Sequence, residues 1–235
     1  MRQFFLVAIL FVIVIFLFLF GTNTCNNKVK GSSFSVSDFG NDSVLEFRAG
    51  DILVRPNWGW LPGSCTVPDG RKYGHVAIVI EGAKGNTIDE ALEKSVVIEA
   101  LFFDQATRQF QFRKEDQIRK TKATVSFGEK FKGIRYLLRT ELNDEQIEEI
   151  KTFLTSQLHG GYDLFSTKIE PDSGNSDELE KLRQSASNWH CASLVWEAFY
   201  LSTGFDIDAN GGIFIYPSDI IASKLFDHPG GRKRF

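Results

Sequence analysis

Two residues of this chain, Cys191 and His75, stand in settings that suit nucleophilic catalysis. Cys191 follows Ser187 and Asn188, which offer caps for the start of a helix. His75 opens the apolar run of residues 76–80, which predicts a buried strand. The positive end of a helix and a nearby imidazolium can lower a thiol pKa from about 8.5 to about 3.5–7.5. The sequence therefore predicts a thiolate nucleophile facing a histidine base.

A carboxylate in the second predicted strand, that of Glu99, is the third candidate catalytic group. Glu99 lies between Ile98 and Ala100 in an otherwise apolar run, where an unpaired charge is costly. Because the strands of His75 and Glu99 are predicted neighbours, we expect Glu99 to accept the Nδ1 proton of His75 and to stabilise its imidazolium. Cys191 and His75 are each, taken alone, more typical of a protein core, whereas a Cys-His-Glu triad explains all three residues together.

The remaining histidines and cysteines are weaker candidates. His190 is the direct neighbour of Cys191, so we expect its side chain to point elsewhere. Zinc held by Cys65, His75, Glu99 and Cys191 is disfavoured because their spacing fits no closed structural site, and no cofactor is expected. Cys65 is interpreted as a loop or buried thiol, and a Cys65–Cys191 disulfide, which would silence the enzyme, is the alternative.

Two tryptophans lie on a long loop next to the predicted strand of His75. Residues 56–70 are rich in Pro and Gly and contain Trp58 and Trp60. These side chains are candidate walls of a substrate groove. The alternative, that they cover an edge of the core, has equal weight.

The elements that must position these residues are strands followed by helices. An Asn143–Gln146 capping box predicts a helix to about residue 158, and a second helix runs from about Cys191 to residue 203. Strands are predicted at about residues 52–54, 75–80 and 95–103, within 107–139, and in a final strand-and-turn region at 211–219.

The N-terminus is predicted to be a membrane segment. Residues 4–20 are 17 consecutive apolar residues, about the minimum for a bilayer span. We expect residues 1–21 to be a transmembrane anchor or a signal peptide, with lipidation at Cys25 as an alternative. Residues 22–44 are predicted to be a flexible linker, and residues 45–235 a single domain outside the cytoplasm.

Charge and composition exclude few functions. The net charge is −3 and the pI about 5.9, so nothing favours a nucleic-acid partner. The short basic end at residues 232–234 is interpreted as a solvated tail.

Six motifs occur in an order that resembles a known enzyme family. They are Arg-Ala-Gly-Asp-Ile-Leu (48–53), Gly-His-Val-Ala-Ile-Val (74–79), Val-Ile-Glu-Ala (97–100), Tyr-Asp-Leu-Phe (162–165), His-Cys-Ala-Ser-Leu-Val (190–195) and Tyr-Pro-Ser-Asp-Ile (216–220). Over about residues 46–224 the chain resembles the permuted papain-like amidases of the YaeF/YiiX type, relatives of the NlpC-type cell-wall peptidases. It departs from them in Ala-Ser-Leu-Val after the cysteine, where Ser-Glu-Leu-Val is frequent, and in the long aromatic loop.

The resemblance implies both a fold and an activity. The fold is α+β and papain-like, circularly permuted so that histidine precedes cysteine, with an antiparallel sheet packed on helices and the nucleophile at a helix N-terminus. It implies Cys191 as nucleophile, His75 as base, Glu99 as the orienting acid and Tyr162 as an oxyanion or substrate contact.

The expected function is amide hydrolysis by a membrane-tethered cysteine peptidase or amidase. The expected substrates are cell-envelope peptides such as peptidoglycan stem peptides. The alternatives are a lipid acyltransferase or lipid amidase of the related permuted lineage, and a non-catalytic binding module. Against the lipid enzyme, the sequence lacks that lineage's Asn-Cys-Glu-His pattern.

Overall fold

The computed structural model describes residues 35–56, 73–104, 109–131, 133–169 and 185–235, together with Val67, Asp69, Arg71, Lys181 and Leu182. These residues form a mixed α+β fold in which helices pack on a mostly antiparallel sheet. Within these ranges no helix has the length and apolar character needed to cross a membrane, and the apolar run of residues 4–20 lies outside them.

The main sheet has seven strands, and its order places the two ends of the described chain together. The strands of the fold are β1 (Ser37–Asp38), β2 (Leu45–Glu46), β3 (Ile52–Pro56), β4 (Tyr73–Glu81), β5 (Lys84–Gly85), β6 (Val96–Ala100), β7 (Phe103–Asp104), β8 (Gln109–Phe110), β9 (Ile118–Lys122), β10 (Tyr136–Leu138) and β11 (Arg232–Arg234). The main sheet runs β1-β11-β10-β3-β4-β6-β9. Its pairings are antiparallel except that of β1 with β11, which is parallel.

Five α-helices that lie wholly within the described ranges flank this sheet. They are α1 (Ile88–Lys94), α2 (Ala123–Phe127), α3 (Asp144–Ser156), α4 (Cys191–Thr203) and α5 (Pro217–Ile221). Short 3₁₀ helices cover Phe39–Asn41, Lys114–Asp116 and Lys224–Phe226.

The alternation of β4 divides the core into two clusters, one on each face of the sheet. Val76 and Ile78 pack in a cluster that includes residues of α3, α4 and α5. Ala77 and Val79 point to the opposite face and pack with residues of α1 and α2. Because both faces of β4 are covered, the strand is a continuous apolar run, which is the pattern that predicts a buried strand.

The elements with strong local signals were predicted correctly. β4 contains the predicted strand, α4 begins at Cys191 and ends at Thr203, and Asn143 and Gln146 form the capping box of α3. The short helices α1 and α2 were missed. The turn predicted at residues 217–219 is wrong, since Pro217 is the first residue of α5.

Both ends of the described chain belong to the sheet. Residues 232–234 are not a solvated tail but strand β11, in which the Arg232 side chain is buried. Its guanidinium donates to the carbonyl oxygens of Ile221 and Ser223, and these partners make burial of the charge tolerable. β1 and the fully buried Phe39 lie within the predicted linker 22–44, so the folded domain starts before Leu45.

Candidate active site

His75 and Glu99 form a buried hydrogen-bonded pair across β4 and β6. His75 Nε2 lies 2.7 Å from Glu99 Oε2, and the two side chains are 3% and 0% exposed. The register pairs Ile78 with Ile98, so Glu99 lies diagonally from His75 on the same face. Diagonal Cβ atoms are about 7–8 Å apart. Because Nε2 is the ring nitrogen farther from the backbone, it is Nε2 that reaches the Glu99 carboxylate across this distance. The structure brings the two residues together as expected, but the prediction that Nδ1 makes the bond is wrong.

The second oxygen of Glu99 is also held. Arg119, its cross-strand partner on β9, donates from Nε to Oε1 at 2.9 Å. Ser126 of α2 donates to the same oxygen at 2.7 Å. Burial alone would raise the pKa of Glu99, but His75, Arg119 and Ser126 lower it to about 2. The sequence did not predict either donor. Only the strand register places Arg119 opposite Glu99, and Ser126 lies in the short helix α2, which was not predicted.

The surroundings of His75 favour its neutral form. Arg55 lies opposite His75 on β3, and the ring of Phe127 stacks on the imidazole with centroids 5.7 Å apart. Burial and then Arg55 lower the pKa of His75, against the opposing contribution of Glu99. An ionised Glu99 accepts only from a protonated nitrogen, so the ring proton is assigned to Nε2. Nδ1 is thereby left as an acceptor.

Cys191 begins α4 and lies against the backbone of β4. Its Sγ is 3.9 Å from the carbonyl oxygen of Gly74, and the thiol also receives a hydrogen bond from the backbone N–H of Val76. These two residues flank His75. The thiol is 3% exposed and is not in a disulfide.

No hydrogen bond joins the side chains of Cys191 and His75, both of which the structure describes. Cys191 belongs to the core cluster on the Val76 face of β4, whereas Ala77 and Phe127, which share the His75 face, belong to the other cluster. The structure therefore does not pair the thiol with the imidazole, and proton transfer from Sγ to Nδ1 requires the two groups to approach each other at the start of β4, where Sγ contacts the backbone on either side of His75. Catalytic hydrogen bonds are often long or misaligned in unliganded enzymes.

The protonation state of Cys191 differs from the expectation. Burial raises the pKa of the thiol to about 11, although the Val76 N–H and Arg55 act to lower it. The prediction of a depressed thiol pKa is therefore wrong for this structure, because burial outweighs the helix terminus. Near pH 7 the thiol and the imidazole are both neutral.

His190 caps the helix that carries the thiol. Its Nδ1 accepts hydrogen bonds from the N–H groups of Ala192 at 3.1 Å and Ser193 at 3.2 Å. The expected caps, Ser187 and Asn188, do not fill this role. The imidazole of His190 points to the helix backbone, in line with the expectation that it does not pair with Cys191. Within the described ranges the N–H of Cys191 has no acceptor, so it is free to bind a developing oxyanion.

Tyr162 lies close to Cys191. Its backbone bridges to Trp189, and its N–H donates to Gln117 Oε1 at 2.7 Å. Burial, followed by the charges of Cys191 and Asp163, raises the pKa of Tyr162, so the phenol remains a proton donor at neutral pH. The Phe102 ring stacks on the Tyr162 ring with centroids 5.9 Å apart.

The predicted groove residues Trp58 and Trp60 lie outside the described residues, as do Cys25 and Cys65.

Comparisons with known proteins give partial similarities. No family model matches the chain. The chain is 53% identical over 85 residues to the uncharacterized protein YycO of Bacillus subtilis strain 168, a match that covers 36% of this chain and 34% of YycO. It therefore spans about a third of the length of that relative. It is also similar to the crystal structure of the metalloprotein yiiX from Escherichia coli O157:H7, with a TM-score of 0.45 and 14% identity over 80% of this chain and 96% of that chain. Neither similarity assigns an activity to this chain.

Proposed function

We propose that this protein is a cysteine hydrolase that cleaves amide bonds, with Cys191 as nucleophile, His75 as base and Glu99 as the residue that positions the base. The observation that carries the proposal is the buried His75–Glu99 pair, which lies in the strand segment against which the Cys191 thiol packs. A histidine that a buried carboxylate orients, on a strand that contacts a cysteine at a helix N-terminus, supplies the groups needed to activate a thiol.

The reaction follows from the proton positions. His75 Nδ1 takes the proton of Sγ, and the thiolate attacks the carbonyl carbon of the substrate. The Cys191 N–H and the Tyr162 hydroxyl stabilise the oxyanion of the tetrahedral intermediate. When the C–N bond breaks, the imidazolium of His75 gives its proton to the leaving amine, and a thioester remains. His75 then deprotonates a water molecule that hydrolyses the thioester.

Cell-envelope peptides are the proposed substrates, with peptidoglycan stem peptides as the leading example. This choice rests on the sequence resemblance to relatives of cell-wall peptidases. The apolar run of residues 4–20 supports a domain that is tethered to a membrane and lies outside the cytoplasm.

A second candidate, hydrolysis or acyl transfer on a lipid, is supported by exposed phenylalanines. Phe102, Phe110 and Phe112 are exposed and contact one another, and Phe102 stacks on Tyr162. Phenyl rings without polar groups suit an acyl chain better than a sugar, whose hydroxyls need hydrogen-bond partners.

A third candidate, a non-catalytic binding module, is supported by the burial of Cys191 and by its raised pKa. In that case the thiol is a core residue and His75 does not influence its reactivity.

The rate of Cys191 alkylation by iodoacetamide between pH 5 and pH 10 separates catalysis from a structural role. In the wild-type protein we expect labelling at pH 7 to be at least 10-fold faster than in His75→Ala, because the imidazole accepts the thiol proton. Peptide mapping uses Cys65 as the internal reference, and His159→Asn, a change at an exposed loop histidine, is the matched control. If the wild-type protein and His75→Ala label Cys191 equally, with rates that are still rising at pH 10, the proposed pair does not exist.

Substrate class requires a second assay. The protein is incubated with peptidoglycan fragments and with long-chain lipid amides, with Cys191→Ala as the blank. Release of amines from the peptides alone supports the envelope peptidase. Release from the lipids alone supports the second candidate.

A further inference from the structure

The loop after α4 has the residue pattern of a calcium-binding loop. It reads Asp206-Ile207-Asp208-Ala209-Asn210-Gly211, so oxygen-bearing side chains recur at every second position before a glycine. Gly211 has φ = 72°, the left-handed conformation that the turn of such a loop requires. This Asp-x-Asp-x-Asn-Gly spacing matches the first half of an EF-hand loop.

A buried carboxyl group with an unpartnered oxygen faces this loop. Asp219 of α5 is 0% exposed, and its Oδ1 has no hydrogen-bond partner, while Oδ2 accepts from the N–H of Tyr216. Burial and then Asp208 raise the pKa of Asp219 to about 7, while the Asn210 side chain, within hydrogen-bonding range of the carboxyl group, lowers it, so Asp208 and Asn210 both lie close to Asp219. A buried oxygen without a partner is costly and calls for an ion or a water molecule as its ligand.

The charges around the loop leave a negative excess. Lys168, whose Nζ lies 2.9 Å from Asp208 Oδ2, is the one cation with a direct contact to these carboxylates in the described residues. Once Asp219, whose pKa burial raises to about 7, is ionised, the carboxylates of Asp206, Asp208 and Asp219 and the one ammonium carry a net charge of −2. A divalent cation cancels this charge.

We propose that this loop and Asp219 together bind Ca²⁺. Carboxylate, carboxamide and backbone carbonyl oxygens in a flexible loop are the ligands that Ca²⁺ takes, whereas Mg²⁺ demands a stricter octahedron and keeps its waters. Within the described ranges no three acidic, histidine or cysteine side chains already converge on a metal position. The Asn210 carboxamide and loop carbonyl oxygens must therefore complete the shell.

The site differs from an EF-hand in a way that sets its affinity. Pro217 stands where the EF-hand has its bidentate glutamate, and Asp219 supplies a carboxylate two residues later. Fewer ligand charges and competition from Lys168 predict a weak site, with a Kd of about 10⁻⁴–10⁻³ M, as in extracellular modules. The bound ion would join the end of α4 to α5.

Terbium luminescence tests this site without reference to activity, because Trp196 Nε1 donates to Asp206 Oδ1 at 2.8 Å and is placed to sensitise a bound lanthanide. We expect tryptophan-excited Tb³⁺ emission that Ca²⁺ displaces and that equimolar Mg²⁺ displaces at least 10-fold less effectively. Asp208→Asn and Asp219→Asn should each weaken Tb³⁺ binding at least 10-fold. Asp144→Asn, a change at an exposed position of α3, should leave binding unchanged.

Two further measurements keep the proposal falsifiable if a variant is poorly folded. Lys168→Gln should tighten Tb³⁺ binding several-fold, because it removes a competing ammonium. Millimolar Ca²⁺ should raise the Tm of the wild-type chain, and Asn210→Ala should abolish that rise. Absence of sensitised emission, emission unaffected by Asp208→Asn, or a Tm that Ca²⁺ does not change would each overturn the proposal.

Discussion

Glu99 is the residue on which the properties of His75 depend. Its carboxylate accepts from His75, Arg119 and Ser126, so a charge that would be costly in an apolar strand is fully paired. The low pKa of Glu99, about 2, keeps it ionised and fixes the proton of His75 on Nε2. Nδ1 of His75, the nitrogen that would accept the thiol proton, is thereby left without a proton of its own.

Removing the charge of Glu99 should affect both stability and the thiol. In Glu99→Gln we expect the free energy of unfolding at pH 7 to fall by about 2–3 kcal/mol, because hydrogen bonds to a buried charge are lost. Alkylation of Cys191 should slow to the rate of His75→Ala. Chemical denaturation and iodoacetamide kinetics measure these two effects. The control is Glu81→Gln, which breaks an exposed pair with Lys120 and should cost less than about 1 kcal/mol.

The pH dependence of stability provides a second check on Glu99. Because the pKa of Glu99 in the folded protein lies below the ordinary value of about 4.5, the stabilisation is complete above about pH 4.5 and is lost as pH falls toward 2. The wild-type protein should lose stability over this window more steeply than Glu99→Gln. Equal slopes would contradict the assignment.

At the scale of elements, the start of α4 determines which backbone donors are available at the thiol. His190 accepts from the second and third N–H groups of the helix and leaves the first, that of Cys191, without an acceptor. Burial lowers the pKa of His190 to about 4, although Asp163 and the Ser166 backbone oppose this shift, so the cap stays neutral at physiological pH. A neutral cap is required because a protonated Nδ1 cannot accept a hydrogen bond.

Substitution of His190 should reveal this cap. We expect His190→Ala to lower the free energy of unfolding by about 1 kcal/mol at pH 7, and His190→Asn, a strong N-cap, to restore most of it. The lowered pKa of His190 means that stability falls as pH drops from about 6.5 to 4, by roughly 3 kcal/mol. His190→Asn should lack this loss in urea titrations at several pH values. If His190→Ala and His190→Asn have the same stability at pH 7, His190 is not the cap.

The strength of the local signal decided which elements the sequence could predict. β4 is a long Val/Ile run and α3 carries a complete capping box, so both were found. α1 and α2 have seven and five residues, too few for helical periodicity to stand out. His75 and Glu99 were paired correctly because neighbouring strands place them on one face. The choice of Nε2, the role of Arg119 and the raised pKa of Cys191 depend on register and burial, which the sequence alone does not specify.

At the scale of the whole molecule, the two ends of the described chain meet in the sheet. β1 pairs in parallel with β11, and β11 pairs with β10, so the last residues lie between the first strand and the rest of the sheet. Among the described strands, β1 joins the main sheet through β11, so its place in the sheet depends on that strand.

Arg232 holds this junction together, and its removal should lower the free energy of unfolding and open β1 and β11 first. Its guanidinium donates to the carbonyl oxygens of Ile221 and Ser223 and to Asp227, and lies 3.3 Å from the Ser35 carbonyl oxygen. In Arg232→Ala the carbonyl oxygen of Ile221 loses its guanidinium donor and that of Ser223 keeps only the N–H of Phe226, so the free energy of unfolding should fall by about 1–3 kcal/mol.

The exposed Arg234 on the same strand is the matched control, and Arg234→Ala should change stability by less than about 0.5 kcal/mol. Hydrogen exchange separates a local effect from a global one. If Arg232 joins β1 to β11, then in Arg232→Ala the amides of residues 37 and 38 lose protection together with those of β11, while β4 stays protected under native conditions. Equal stability of the two variants, or unchanged protection of β1 in Arg232→Ala, would show that strand pairing alone holds the chain ends.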